Sequence, residues 1–150
     1  EMLAPDNSEF YTISKGLAQG ELIGGNLTVF SQLVGTSYLP DMRGKLLFME
    51  DVNEEPYRID RMLMQLKLAG ILSKVNGIII GEFRKCAPQE PEKSLTLKQV
   101  LLEHLSNLNI PVFYAAKFGH IKDKWTLPIG IKAEMNANIG SLKLLEPAVF

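Results

Sequence analysis

Residues Lys45–Gly70 read KLLFMEDVNEEPYRIDRMLMQLKLAG, and this stretch decides the fold. It opens on Leu46-Leu47-Phe48-Met49, an apolar run with the length of a short buried strand. Four acids follow closely: Glu50, Asp51, Glu54 and Glu55. Ile59, Met62, Leu63 and Leu66 then recur at the spacing of one face of an amphipathic helix. Gly70 stands where a C-terminal cap belongs. A carboxylate that closes a buried strand just ahead of a helix lies where open α/β sheets keep their chemistry. Glu50 is therefore the first candidate for a functional residue.

Upstream, Gly16, Gly20, Gly24 and Gly25 punctuate Phe10–Leu27, which reads as short strands joined by tight turns. Asn26 is placed to cap a helix over Leu27–Val34, with Leu27, Phe30, Leu33 and Val34 inward and Gly35 at its end. Gly24-Gly25-Asn26 can offer backbone N–H groups to an anion. A tight strand-to-helix turn is the plainer account, because GxGxxG spacing is absent.

Downstream, Gly77–Gly81 (GIIIG) reads as a central parallel strand. The charged, proline-bearing loop Arg84–Lys93 should be solvated, and its Cys86 an incidental loop thiol. Thr96 and Gln99 have capping-box spacing and open a helix to about Asn107, with Val100, Leu101, Leu105 and Leu108 as its apolar seam. His104 on that helix reads as a surface or helix-packing histidine. Pro111–Tyr114 is a further short strand. Trp125–Glu134 has strand character broken by Pro128 and Gly130, which suggests an edge strand or bulge. Ile131–Met135 and Ser141–Leu145 flank NANIG as a hairpin. Strands mixed with about three helices predict an α/β domain whose sheet has parallel and antiparallel pairs.

A chain of 150 residues suits one domain, and 46% hydrophobic with 22% charged residues is an ordinary globular balance. A net charge of −1 gives no electrostatic case for nucleic acid. No apolar run is long enough to span a bilayer, and EMLAPDNSEF lacks the layout of a signal peptide. With one cysteine, no intramolecular disulfide forms.

Of the two histidines, only His120 follows a glycine in a loop after a strand. An imidazole can shuttle protons if a carboxylate holds one ring nitrogen, and Glu50 is a candidate for that carboxylate. On spacing alone, a capping histidine and a helix-start glutamate are the commoner readings. Glu54 and Glu55 fit first-turn acids that complement the helix dipole. Arg58, Asp60 and Arg61 fit surface ion pairs. Neither HxxxH nor HExxH occurs, so the spacing does not favour a metal site. There is also no GxSxG elbow, and Ser8, Ser14, Ser31, Ser37, Ser73, Ser94, Ser106 and Ser141 sit in ordinary contexts. The residues therefore describe a base and its orienter without a nucleophile.

LIGGNLTVFSQLVGT, the Lys45–Gly70 stretch, VNGIIIGEF, and GH followed by TLPIG together cover most of Leu22–Gly130. In this order they resemble the C-terminal domain of the LD-carboxypeptidases, the muramoyltetrapeptide carboxypeptidase family of serine peptidases. EDVNEEPYRIDRML is the most specific piece. The resemblance implies a bacterial, cytoplasmic enzyme of murein recycling that removes the terminal D-alanine of murein tetrapeptide. It implies a Ser-Glu-His triad, with the serine on an N-terminal domain outside this chain. Glu50 and His120 would be its other members, and Glu54 the fallback acid. It also implies a swivelling β/β/α fold, no metal and no cofactor. The chain starts in mid-protein fashion and should be inactive without its nucleophile domain. Ala115-Ala116-Lys117, where relatives often carry a glycine-containing lead-in, and Lys124, where they often carry asparagine, bear on substrate contacts.

Two near alternatives stay open. One is the related peptidase that degrades an antibiotic peptide-nucleotide. The other is a non-catalytic peptide-binding or interaction domain, with an apolar face that drives homodimerisation.

Overall fold

The computed structural model describes residues 1–4 and 10–149; Ser8 lies outside them. Among the described residues, eight strands form one mixed sheet, with three α-helices. In chain order these are β1 (Met2–Leu3), β2 (Tyr11–Ser14), β3 (Leu17–Asn26), α1 (Leu27–Ser31), β4 (Leu46–Glu50), α2 (Pro56–Leu68), β5 (Gly77–Gly81), α3 (Leu97–Leu105), β6 (Val112–Ala116), β7 (Lys132–Asn136) and β8 (Ser141–Leu144). The spatial order is β1-β8-β7-β3-β4-β5-β6-β2. The central block β3-β4-β5-β6 is parallel, and both flanks are antiparallel.

The β4–α2 stretch folds as its pattern dictates. All five residues of β4 are buried, because parallel strands are covered on both faces. Leu47 and Met49 point to the helix side, where Ile59, Leu63 and Leu66 of α2 meet Ile78 and Ile80 of β5 and Val100, Leu101 and Leu105 of α3. Leu46 and Phe48 point the other way, onto Ile79, Phe113, Leu22, Met135 and Leu142. Each fully buried leucine or isoleucine of α2 contributes about 1.5–3 kcal/mol. Pro56 fills the first helical position, where its missing N–H is harmless, and Gly70 ends the helix at φ 69°. Glu54 and Glu55 precede the first turn rather than lying in it: Glu54 faces Arg58 at 3.6 Å, and Glu55 is the N-cap residue.

The glycine-rich segment before α1 departs from expectation. It holds one ten-residue strand, β3, that runs directly into α1 without an intervening turn. The glycines serve close approach instead. A Cβ on Gly24, at φ 145°, would stand 1.9 Å from the Phe48 carbonyl oxygen of the neighbouring strand. The lower half of β3, Leu17–Glu21, pairs antiparallel with β7; the upper half, Leu22–Asn26, pairs parallel with β4. Helix α1 is shorter than its pattern suggests and ends at Ser31, with turns continuing to Gly35. Strand character over Trp125–Glu134 is realised only from Lys132. Trp125 and Leu127 pack irregularly on the second core, and Leu22 bonds Gly130 and Ile131 through its backbone. The β7–β8 hairpin forms as read, and α3 opens on the Thr96/Gln99 capping box.

A candidate active site at the carboxyl edge of the sheet

Glu50 is the last residue of β4, and its register partner Asn26 is the last of β3. Both therefore emerge at the carboxyl edge of the parallel block, and Asn26 ties the two strand ends together. Its Oδ1 accepts from the Val29 N–H at 3.1 Å and so caps α1. Its Nδ2 donates to Asp51 Oδ1 at 2.9 Å and, more weakly, to Glu50 Oε1 at 3.4 Å. Asp51, 2% exposed, also accepts from the Val52 N–H and from the N–H and hydroxyl of Thr28, all between 2.8 and 2.9 Å. A carboxylate so supplied with donors tolerates burial. The first-turn N–H groups of Thr28 and Val29 are already taken by these side chains, and Gly24, Gly25 and Asn26 are paired with β4 as part of a strand rather than forming an open anion-binding turn.

His120 reaches Glu50 from the far side of β5. The pairing of β5 with β6 matches Ile80 to Tyr114 and then Gly81 to Ala116, so Ala115 is an extra residue, a bulge at φ 70°. A non-glycine residue there costs about 1–2 kcal/mol. Beyond the bulge, Phe118 packs edge-on against Phe48, ring centroids 5.6 Å apart, and carries Gly119 onto Glu50. A Cβ on Gly119, at φ 106°, would sit 2.6 Å from Glu50 Oε2 and 2.9 Å from its Cβ and Cγ. Only glycine allows that approach without displacement.

His120 Nδ1 then lies 2.8 Å from Glu50 Oε2. Glu50 is 6% exposed, whereas the imidazole is 53% exposed. With Nδ1–H donating to the carboxylate, the Nε2 lone pair is left without a partner among the described residues. Arg84 steadies the same loop. Its backbone is locked to the β4 extension by Arg84 N–H to Asp51 O (3.1 Å) and Asn53 N–H to Arg84 O (3.0 Å). Its guanidinium donates to the His120 carbonyl at 3.3 Å. A buried acid bonded to one nitrogen of a half-exposed imidazole is the geometry that an orienter–base pair requires.

Other sequence expectations change here. Of the two readings of His104, helix packing is the one realised: it is 3% exposed, and its Nε2 lies 2.6 Å from Asp60 Oδ1, joining α3 to α2. Asp60 is thereby taken from the surface ion-pair set, while Arg58 and Arg61 lie over the Tyr57 ring. Cys86 is buried in the helix-side core, its Sγ donating to the Arg84 carbonyl at 3.3 Å, and burial pushes its thiol up. Asn26, Asp51, Gly119 and Arg84 were not marked out as site-building residues. Their signal was positional: each flanks a strand end of the parallel block.

A family model described as the LD-carboxypeptidase C-terminal domain matches residues 19–135. A relative in Bacillus subtilis (strain 168), named murein peptide carboxypeptidase, is 48% identical over 121 residues, covering 81% of this chain and 38% of the relative. The microcin self-immunity protein MccF of Escherichia coli is 31% identical over 147 residues, covering 96% of this chain and 41% of that protein. A crystal structure of muramoyltetrapeptide carboxypeptidase from Oxalobacter formigenes superposes with a TM-score of 0.78 at 36% identity, covering 95% of this chain and 47% of that one. The chain thus spans less than half the length of these proteins.

Proposed function

The chain belongs to the LD-carboxypeptidase C-terminal domain family, and from that premise we propose that it supplies Glu50 and His120 to a Ser-Glu-His hydrolase site. The serine comes from an N-terminal nucleophile domain outside these 150 residues. The substrate is murein tetrapeptide, and the bond cut is the one to its terminal D-alanine. The observation that carries this reading is the 2.8 Å contact between Nδ1 of the half-exposed His120 imidazole and the buried Glu50 carboxylate.

The division of labour follows from that geometry. His120 Nε2 takes the proton of the serine hydroxyl as its oxygen adds to the scissile carbonyl. Glu50 holds the ring in the tautomer with Nδ1 protonated and stabilises the imidazolium that forms. The imidazolium gives its proton to the departing D-alanine nitrogen as the C–N bond breaks. Water, deprotonated by the same Nε2, adds to the acyl carbonyl, and the imidazolium returns its proton to the serine oxygen as the ester C–O bond breaks. Asn26, Asp51 and Gly119 act through Glu50 and are positioning residues. The chain alone is inactive on this reading.

The test is release of D-alanine from murein tetrapeptide by this chain joined to, or mixed with, a nucleophile-bearing N-terminal half. His120→Ala should lower kcat by at least about 10³-fold. An unchanged rate would remove His120 from the chemistry. Likeness to MccF supports a second reading, a peptidase acting on an antibiotic peptide-nucleotide. Turnover of that substrate in place of the tetrapeptide would favour it. Peptide binding without turnover in any reconstitution would favour a non-catalytic module.

A further inference from the structure

The extra residue in β6 does more than deliver His120. In an unbroken strand Phe113 and Lys117 would share a face, because side chains alternate with period two. The bulge at Ala115 resets that parity. Phe113, Ala116 and Phe118 all face the second core, and Lys117 is turned to the Tyr114 side. There it joins Arg84, Lys85, Lys98 and Lys122 around an open groove of about 1020 Å³.

The groove runs along the carboxyl ends of β5 and β6, where α/β sheets take their ligands. Five cationic side chains line it against two acidic ones, Glu82 and Asp123, in a chain whose net charge is −1. Its five cations come from three separate segments, 84–85, 98 and 117–122, and border one groove rather than forming the stripe along a helix or face that marks a nucleic-acid surface. Lys85 is held there at φ 54°, a conformation that few residues other than glycine adopt. Lys98 is aimed by its contact with the Tyr11 ring, 4.7 Å to the centroid. Lys85, Lys117 and Lys122 make no ion pair among the described residues. Arg84 is the shared wall: it lines the groove and also bonds the His120 carbonyl.

We propose that this groove is an anion-binding subsite that receives a carboxylate or phosphate group of the ligand whose reacting bond lies at His120. Five cations bordering one groove raise the local potential and concentrate counter-ions, which is what such a subsite needs. Only the placement of the reacting bond rests on the hydrolase reading; anion capture stands without it.

The test titrates the chain with pyrophosphate, with tricarballylate and with the neutral trimethyl ester of tricarballylate, followed by calorimetry and by backbone amide shifts. The anions should bind and the ester should not, with shifts confined to residues 84–88, 96–98 and 117–123. Pyrophosphate binding more tightly would identify a phosphate subsite; tricarballylate binding more tightly would identify a carboxylate one. Lys98→Gln/Lys117→Gln should weaken the anions at least about tenfold, and salt should weaken them further. If that variant melts early, Lys85→Gln/Lys122→Gln provides the same comparison on the outer wall. Equal affinity in variant and wild type, salt-independent binding, or shifts scattered over the surface would overturn the proposal. Anion binding that persists when no reconstitution releases D-alanine would retire the hydrolase reading alone. D-alanine release with no anion binding would retire the groove alone.

Discussion

Gly119→Ala puts the architecture of the candidate site under direct strain. The new methyl meets Glu50 Oε2 at 2.6 Å and the Glu50 Cβ and Cγ at 2.9 Å, and the backbone stands at φ 106°. Glu50 has little room to retreat, being 6% exposed at the end of a fully buried strand. The loop must move, and His120 moves with it. Placing alanine at that φ costs about 1–3 kcal/mol. Overpacking against Glu50 adds about 1–3 kcal/mol. Alanine restricts the unfolded chain and returns about 0.4–1 kcal/mol. A net loss of about 1–6 kcal/mol follows, centred on about 3, which is roughly 6–12 °C in Tm for a domain of this size.

Gly130→Ala is the control. Its φ is 84°, and nothing lies within 4 Å of the added carbon, so it carries backbone strain without the clash. Urea and thermal unfolding give the two losses. The imidazole signals of His120 report whether Nδ1–H stays bonded to the carboxylate. Gly119→Ala should lose clearly more stability than Gly130→Ala, and should also lose the protected Nδ1 proton. Equal losses with that proton retained would refute the packing of Gly119 on Glu50.

Three other perturbations probe the supports of the site. Asn26→Ala removes the α1 cap and the donor shared by Glu50 and Asp51, and should cost about 1–3 kcal/mol in urea unfolding. Burial pushes the Cys86 thiol up, so it stays protonated at a pH where free cysteine begins to ionise. Its alkylation near pH 8.5 should therefore be slow in the folded chain and rapid in urea, read by mass spectrometry; rapid labelling of the folded chain would contradict its burial. Asp60→Ala strips the buried His104 of its 2.6 Å partner and should cost about 1–3 kcal/mol while D-alanine release by a reconstituted enzyme is retained.

Much of the parallel core was legible because its signals are local. Short apolar runs, an amphipathic helix and a capping box each declare themselves within a dozen or so residues. Glu50 and His120 could be suspected for the same reason, one closing a strand and the other in the loop after one. What was illegible depended on neighbours distant in sequence. Gly24 reads as a turn residue until the Phe48 carbonyl is found against it. Cys86 reads as a loop thiol until the helix-side core closes over it. The acids after β4 look alike in sequence, yet Asp51 is a buried anchor, Glu50 faces His120 and Glu54 faces Arg58. The bulge at Ala115 has no marker of its own, because alanine is a poor match for the conformation it adopts there.

Strand β3 serves two sheet halves at once, with consequences for how the protein can be handled. Asn26, at one end, touches Glu50, while Leu17, at the other, pairs with Asn136 beside the β7–β8 turn. Nine strand steps separate those ends, about 30 Å of rigid backbone. Extra residues inserted beside the exposed Ile139 would load the hairpin and the foot of β3 while leaving the opposite rim undisturbed. That turn is accordingly the point at which to graft a fluorophore or tether when the Glu50 rim is to be watched unaltered.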